Sequence, residues 1–232
     1  MVDKIQEFSR TKGLQFKNES LLTMALTHPS YHQDNNYPDD NQRLEFLGDA
    51  VLSLIITEVL FEKFPDQDEG FLTKIRAKIV CEKALAQVAK TMDLGDYLRL
   101  GKGEQMSGGR SRKSILADAM EAVIGAIYLD QGHDAAGDFI RQHFREVIFK
   151  ALTEDYNDYK SRLQEIVQAK NQQGVTYAIL SDSGPAHAKT FTAGVYYQDI
   201  LLATGSGRSK KEAGQNAAEK ALQDQSMLKS IL

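Results

Sequence analysis

The chain has 232 residues, 42% of them apolar and 26% charged, with a formal net charge of −4, 4 prolines and one cysteine. That length fits one or two domains with a substantial core, and the lone Cys81 excludes a disulfide scaffold or a cysteine-rich zinc module. No apolar run approaches the roughly 18 residues that cross a bilayer, and Met1 to Arg10 is polar where a secretory leader needs an apolar stretch, so the chain reads as soluble and cytoplasmic, without a membrane partner.

From Lys4 to about Lys150 the apolar residues recur at helical spacing. Leu44, Leu47, Val51, Leu54, Ile55 and Val59 form one run, and Leu85, Val88, Ala89 and Met92 another. Ile115 to Leu129 is a third, and Phe139 to Leu152 closes the set. Breaks are expected at His28-Pro29-Ser30, Tyr37-Pro38-Asp39-Asp40, Phe64-Pro65-Asp66, Leu94-Gly95-Asp96 and Ser107-Gly108-Gly109. Cys81 falls in a helical stretch and is expected as a small buried apolar residue. The polar stretch 153–158 reads as a linker between a helical domain at 1–152 and a second domain at 159–228.

Beyond that stretch both charge and periodicity change. Residues 1–156 carry 19 Lys+Arg against 25 Asp+Glu (net −6), whereas residues 157–232 carry 9 against 7 (net +2). A helix near Tyr159 to Lys170 is followed by strand-like runs at Thr176 to Ser181, Thr190 to Tyr197 and Ile200 to Thr204, then by a helix from Ser209 to about Gln223. The fold class is therefore a mainly α domain followed by a small α+β domain of order α-β-β-β-α.

Two of the most apolar helices carry paired acids. Glu45 and Asp49 are four apart, and Asp118 and Glu121 three apart, so each pair shares a helix face. Like charges at this spacing repel, and an unpaired buried carboxylate is costly, so a cation should compensate. Arg43 is one candidate and a divalent ion the other; oxygen-only ligands favour Mg²⁺, with Mn²⁺ as a substitute, and Mg²⁺ pairs carboxylates with substrate phosphates. Interhelical salt bridges or solvated stripes also account for such acids, and both readings stay open on spacing alone. A di-iron bundle needs Glu-x-x-His, which Ile124 breaks. Gly48, between the first two acids, suits close approach by a helix or a ligand.

In the second domain, Ser209 and Glu212 form a capping-box pattern, which sets Lys210 and Lys211 in a first helical turn where the dipole disfavours cations. With Arg208 they would make a phosphate-binding corner. An ordinary solvated lysine pair is the alternative. His187 lies in the loop between the first two strands, and Gln164 and Glu165 could bond ribose 2′-hydroxyls, the contacts by which duplex RNA is read by shape. Tyr177, Phe191, Tyr196 and Tyr197 suit the sheet and core better than a single-strand stacking platform.

The run Arg43-Leu44-Glu45-Phe46-Leu47-Gly48-Asp49 resembles the signature of the ribonuclease III family. Leu26 to Tyr31, Asp68-Glu69-Gly70, Gly108-Gly109 and Ser114 to Ala122 are similar to further family motifs in the same order, and the tail resembles a double-stranded RNA-binding domain. The resemblance implies a homodimeric endonuclease domain that cuts duplex RNA in rRNA and mRNA processing, leaving 5′-phosphates and short 3′ overhangs. It implies Glu45, Asp49, Asp118 and Glu121 as Mg²⁺ ligands, with Asp49 and Glu121 catalytic, in a two-metal in-line hydrolysis without a side-chain nucleophile or an organic cofactor. Gln42 stands where many family members have Glu, so a secondary acidic cluster with Glu69, which helps place the scissile strand, is altered here. A duplex-binding regulator that does not cut is the alternative function.

Overall fold

Single polar residues set several helix starts in this chain. Asn18, Asp68, Asp158 and Ser209 each accept a hydrogen bond through the side chain from a backbone N–H two or three residues on, satisfying a donor that the helix itself leaves free. The structure is a computed structural model describing residues 4–156, 158–169, 174–185 and 188–224. It divides into two units, Met1–Leu152 and Thr153–Leu232.

The first unit is helical: α1 (Lys4–Thr11), α2 (Glu19–Ala25), α3 (Pro29–Asn35), α4 (Gln42–Lys63), α5 (Glu69–Ile79), α6 (Glu82–Thr91), α7 (Leu94–Tyr97), α8 (Lys102–Met106), α9 (Lys113–Gln131), α10 (His133–His143) and α11 (Arg145–Tyr156). Its two longest helices, α4 and α9, pack on each other more extensively than any other pair of elements. Leu52, Ile55 and Ile56 of α4 and Met120, Val123 and Ile124 of α9 are fully buried, which is why both sequences are apolar around most of their circumference. Asp130, near the end of α9, accepts the backbone N–H groups of Lys17 and Asn18 and so ties the start of α2 to that helix.

Four local expectations are revised. The apolar run from Phe139 to Leu152 is two helices, because the residue between them, Phe144, is itself fully buried and carries the apolar pattern across the break. Leu94-Gly95-Asp96 is not a break but belongs to the short helix α7, entered through Asp93 at φ +54°. Cys81 is exposed: it occupies the cap position between α5 and α6, where no helix face turns it inward. The stretch 153–158 begins inside α11, which continues to Tyr156 because no Gly or Pro interrupts it.

The second unit has α12 (Tyr159–Gln168), β1 (Val175–Ser183), β2 (Thr190–Tyr197), β3 (Ile200–Gly207) and α13 (Lys210–Gln223). The strands form an antiparallel sheet in the order β1-β2-β3. Its core joins Leu163 and Val167 of α12, Val195, Tyr197 and Leu202 of the sheet, and Ala217, Ala218 and Ala221 of α13. Small residues on α13 let that helix lie close to the strands. Tyr197 is buried and Tyr177 packs against this core, so neither is a free stacking platform.

Candidate active site

The carboxylates on α4 and α9 meet because two glycines let the helices touch through their backbones. An ideal Cβ on Gly48 would stand 1.8 Å from the carbonyl oxygen of Glu121 and 3.0 Å from the Gly125 nitrogen, a space no other residue can occupy without moving a helix. The close approach that Gly48 permits is thus one of helix against helix. Beside this crossing, Glu45, Asp118 and Glu121 each offer a carboxylate oxygen, and the three oxygens lie within 4.8 Å of one another. All three side chains are partly buried.

Asp49 stands apart from this trio. It is exposed, one turn along α4 from Glu45, yet its charge is the strongest of those acting on Glu121. Burial, followed by Asp49, Glu45 and Asp118, pushes the Glu121 carboxyl up to about 8. Burial also raises Glu45, with Asp118, Asp40 and Asp49 adding to it, and raises Asp118.

No Lys or Arg pairs with Glu45, Asp49, Asp118 or Glu121 among the described residues, and Arg43, the candidate protein cation, is exposed without an ion pair. Three converging oxygens, like charges and partial burial are the donor set of a hard divalent cation, so the residues present fit such an ion.

Gln42 and Glu69 open α4 and α5, and both are exposed. The Glu69 carboxylate accepts a hydrogen bond from Thr73 Oγ, and the Gln42 backbone N–H is capped by Asp40. Two residues near the acids were not singled out from sequence as part of the site. Asp40 adds to the upward push on Glu45, and His28 acts on Asp118 in the opposite direction to burial. Both sit in turns whose Pro and Asp content signals a chain break, and that signal hides which way they face.

In the second unit, Arg208, Ser209, Lys210 and Lys211 are all exposed at the start of α13. Ser209 Oγ accepts the Glu212 N–H, while the Glu212 carboxylate accepts the Arg208 N–H rather than that of the cap residue. Glu165 is exposed, but the Gln164 carbonyl oxygen is already engaged by the Val175 N–H, which fixes the start of β1. His187 lies outside the described residues.

Residues 18–148 match the family described as Ribonuclease-III-like, and residues 159–225 match the double-stranded RNA binding motif. The chain is 60% identical to Ribonuclease 3 of Syntrophomonas wolfei over 219 residues, 94% of each chain. It is 50% identical to Ribonuclease 3 of Pelotomaculum thermopropionicum, over 95% of this chain and 92% of that one. Among solved structures it is similar to the nuclease domain of ribonuclease III from Campylobacter jejuni, described with a region involved in dimer formation. There the TM-score is 0.58 at 41% identity, covering 61% of this chain and 96% of the other. With the helical unit matched by one model, the sheet unit by the other, and relatives aligned almost end to end, the chain belongs to the ribonuclease III family.

Proposed function

We propose that this chain is a Mg²⁺-dependent endoribonuclease acting on double-stranded RNA in the cytoplasm, where it serves rRNA and mRNA processing and leaves 5′-phosphates and short 3′ overhangs. The observation that carries the reading is the convergence of Glu45, Asp118 and Glu121 within 4.8 Å without a protein cation among the described residues. Those three residues would hold the metal, with Asp49 exposed at the rim to complete the ligand set when substrate phosphate arrives. Bound there, a hard dication, Mg²⁺ or Mn²⁺, supplies Lewis-acid stabilisation of the charge that develops in in-line phosphodiester hydrolysis. The chain's own part is to orient the carboxylates on two helices locked at Gly48. No side-chain nucleophile and no organic cofactor enters this scheme.

The duplex is held by the second unit, with Arg208, Lys210 and Lys211 on phosphate, Ser209 setting the helix start, Glu165 toward the minor groove, and His187 as a further RNA contact. Gln164 keeps an amide donor for a 2′-hydroxyl while its oxygen serves β1. Gln42 and Glu69 act on strand placement. A regulator that binds without cutting has no use for three acids packed against their own repulsion, and that reading is not favoured.

The protein works as a homodimer. Along one side of α4, Phe46 is 82% exposed, Leu54 51% and Phe61 71%, an apolar stripe that a second copy would cover. The region of dimer formation in the Campylobacter nuclease domain supports this reading.

The test incubates the protein with long duplex RNA, single-stranded RNA and duplex DNA, each with Mg²⁺ or with chelator, and sizes the products. Cleavage confined to duplex RNA with metal is expected. Binding of the duplex without any cleavage at any metal concentration would return the reading to the regulator.

A further inference from the structure

Arg99 lies in a short extended stretch beside Leu26 to His28. Its N–H donates to the Leu26 carbonyl at 2.8 Å, its carbonyl accepts the His28 N–H at 3.1 Å, and it forms a parallel bridge with Thr27. Leu98 and Leu100 on either side are buried, so the alternation of extended chain turns Arg99 the other way. There its guanidinium meets two tyrosines. The guanidinium carbon is 5.8 Å from the centroid of the Tyr31 ring on α3 and 5.3 Å from that of Tyr37, and the two rings meet edge to face at 5.9 Å. All three side chains are partly buried.

No carboxylate pairs with Arg99 among the described residues, and Asp34, the acid three residues past Tyr31 on α3, accepts the Lys102 N–H at 2.8 Å instead. A surface arginine without an acid is ordinary. One set against two rings is oriented without being neutralised, and its N–H donors stay open to another acceptor. The place is close to the acids. The Thr27 carbonyl accepts the Asn41 N–H and the Asn41 carbonyl accepts the Glu45 N–H. One strand spacing, one hydrogen bond and one helical turn thus separate Arg99 from Glu45, within about 16 Å of backbone. Residues 1–156 hold more acidic than basic side chains, so phosphate arriving at the converging carboxylates meets a repulsion that a preset cation offsets.

We propose that Arg99, held by Tyr31 and Tyr37, binds a non-scissile phosphate of the RNA duplex, a contact of the helical unit in addition to those proposed on α13. A donor fork that the rings have already oriented loses less freedom when it closes on two phosphate oxygens. The inference rests on the chain acting on duplex RNA, and the measurements below separate the two.

Binding is read in the full chain with chelator, where duplex RNA is held without being cut. Arg99→Met should weaken it about fivefold and lower the slope of log affinity against log salt by roughly one unit, the share of one phosphate contact. Arg99→Gln, a polar side chain of similar reach, should show the same loss of slope. Arg99→Lys keeps a charge against the rings without the two-pronged fork, so the slope should hold while affinity drops about twofold. With Mg²⁺ restored, the loss in Arg99→Met should fall on KM rather than on kcat. An unchanged slope in both Arg99→Met and Arg99→Gln overturns the proposal; if the melting temperature falls at the same time, Arg99 is a brace for the two tyrosines and no more. A wild-type chain that neither binds nor cuts duplex RNA would remove the wider reading instead.

Discussion

Gly125 of α9 and Leu44 of α4 are in backbone contact: a methyl group on Gly125 would stand 2.4 Å from the Leu44 carbonyl oxygen. Leu44 directly precedes Glu45, so this contact and the one at Gly48 fix the spacing of the two acidic faces. Gly125→Ala should cost about 3 kcal/mol or more, because backbone on both sides cannot yield as a side-chain tip does. Urea unfolding measures the loss, and an unchanged midpoint would show that the helices are free to separate.

Asp118→Asn should abolish cleavage of duplex RNA while leaving its binding nearly unchanged, because the carboxylate lies in the helical unit and the proposed phosphate contacts on α13. Product sizing alongside a gel-shift titration checks both halves. Equal cleavage by variant and wild type would remove Asp118 from the metal set.

A metal held at Glu121 would compete with a proton there. Its carboxyl titrates at about 8 in the folded chain against 4.5 as a free group, so the folded state binds the extra proton. The associated stability is fully present below about pH 4.5, declines as pH rises and is lost above about pH 8. The raised values of Glu45 and Asp118 act in the same direction. The melting temperature of the metal-free protein should therefore fall between about pH 5 and about pH 8.5, and Mg²⁺ should restore more at the upper end. Glu121→Gln should flatten the profile; a flat wild-type profile would mean that neither burial nor the neighbouring acids act on Glu121.

Replacing Lys210 and Lys211 with Ala should weaken duplex binding and lower the slope of log affinity against log salt by roughly one unit per charge. Fluorescence titrations at several salt concentrations give the slope. If it does not change, these lysines face solvent and touch no phosphate.

Phe46→Asp should convert a dimer to a monomer in light scattering, since it sets a charge in the apolar stripe of α4. A variant that keeps the dimer mass would move the interface elsewhere.

Helix identity and the pairing of acids were legible because apolar spacing and the spacing of Glu45 with Asp49 and Asp118 with Glu121 obey the same helical geometry. The sheet unit was legible as well, since strand-like runs and a capping Ser209 mark their own limits. What spacing does not carry is the third dimension. It could not separate Asp49, exposed at the rim, from the three acids that converge, because a shared face says nothing about distance across a helix crossing. Nor could it show that Gln164 spends its oxygen on Val175, a contact made after the chain folds back. The break inside the last apolar run was hidden for the opposite reason, since Phe144 is as buried as its helical neighbours.

The glycine crossing also bears on how this protein can change over evolutionary time. The separation of α4 and α9 is set where main chain meets main chain, so aliphatic neighbours such as Leu52, Ile56 and Ile124 can exchange among themselves without shifting the reaction centre, provided total volume is kept. Mutational freedom is thereby pushed outward from the two glycines, and lineages can diverge widely in their interior while conserving a catalytic geometry only a few ångströms across.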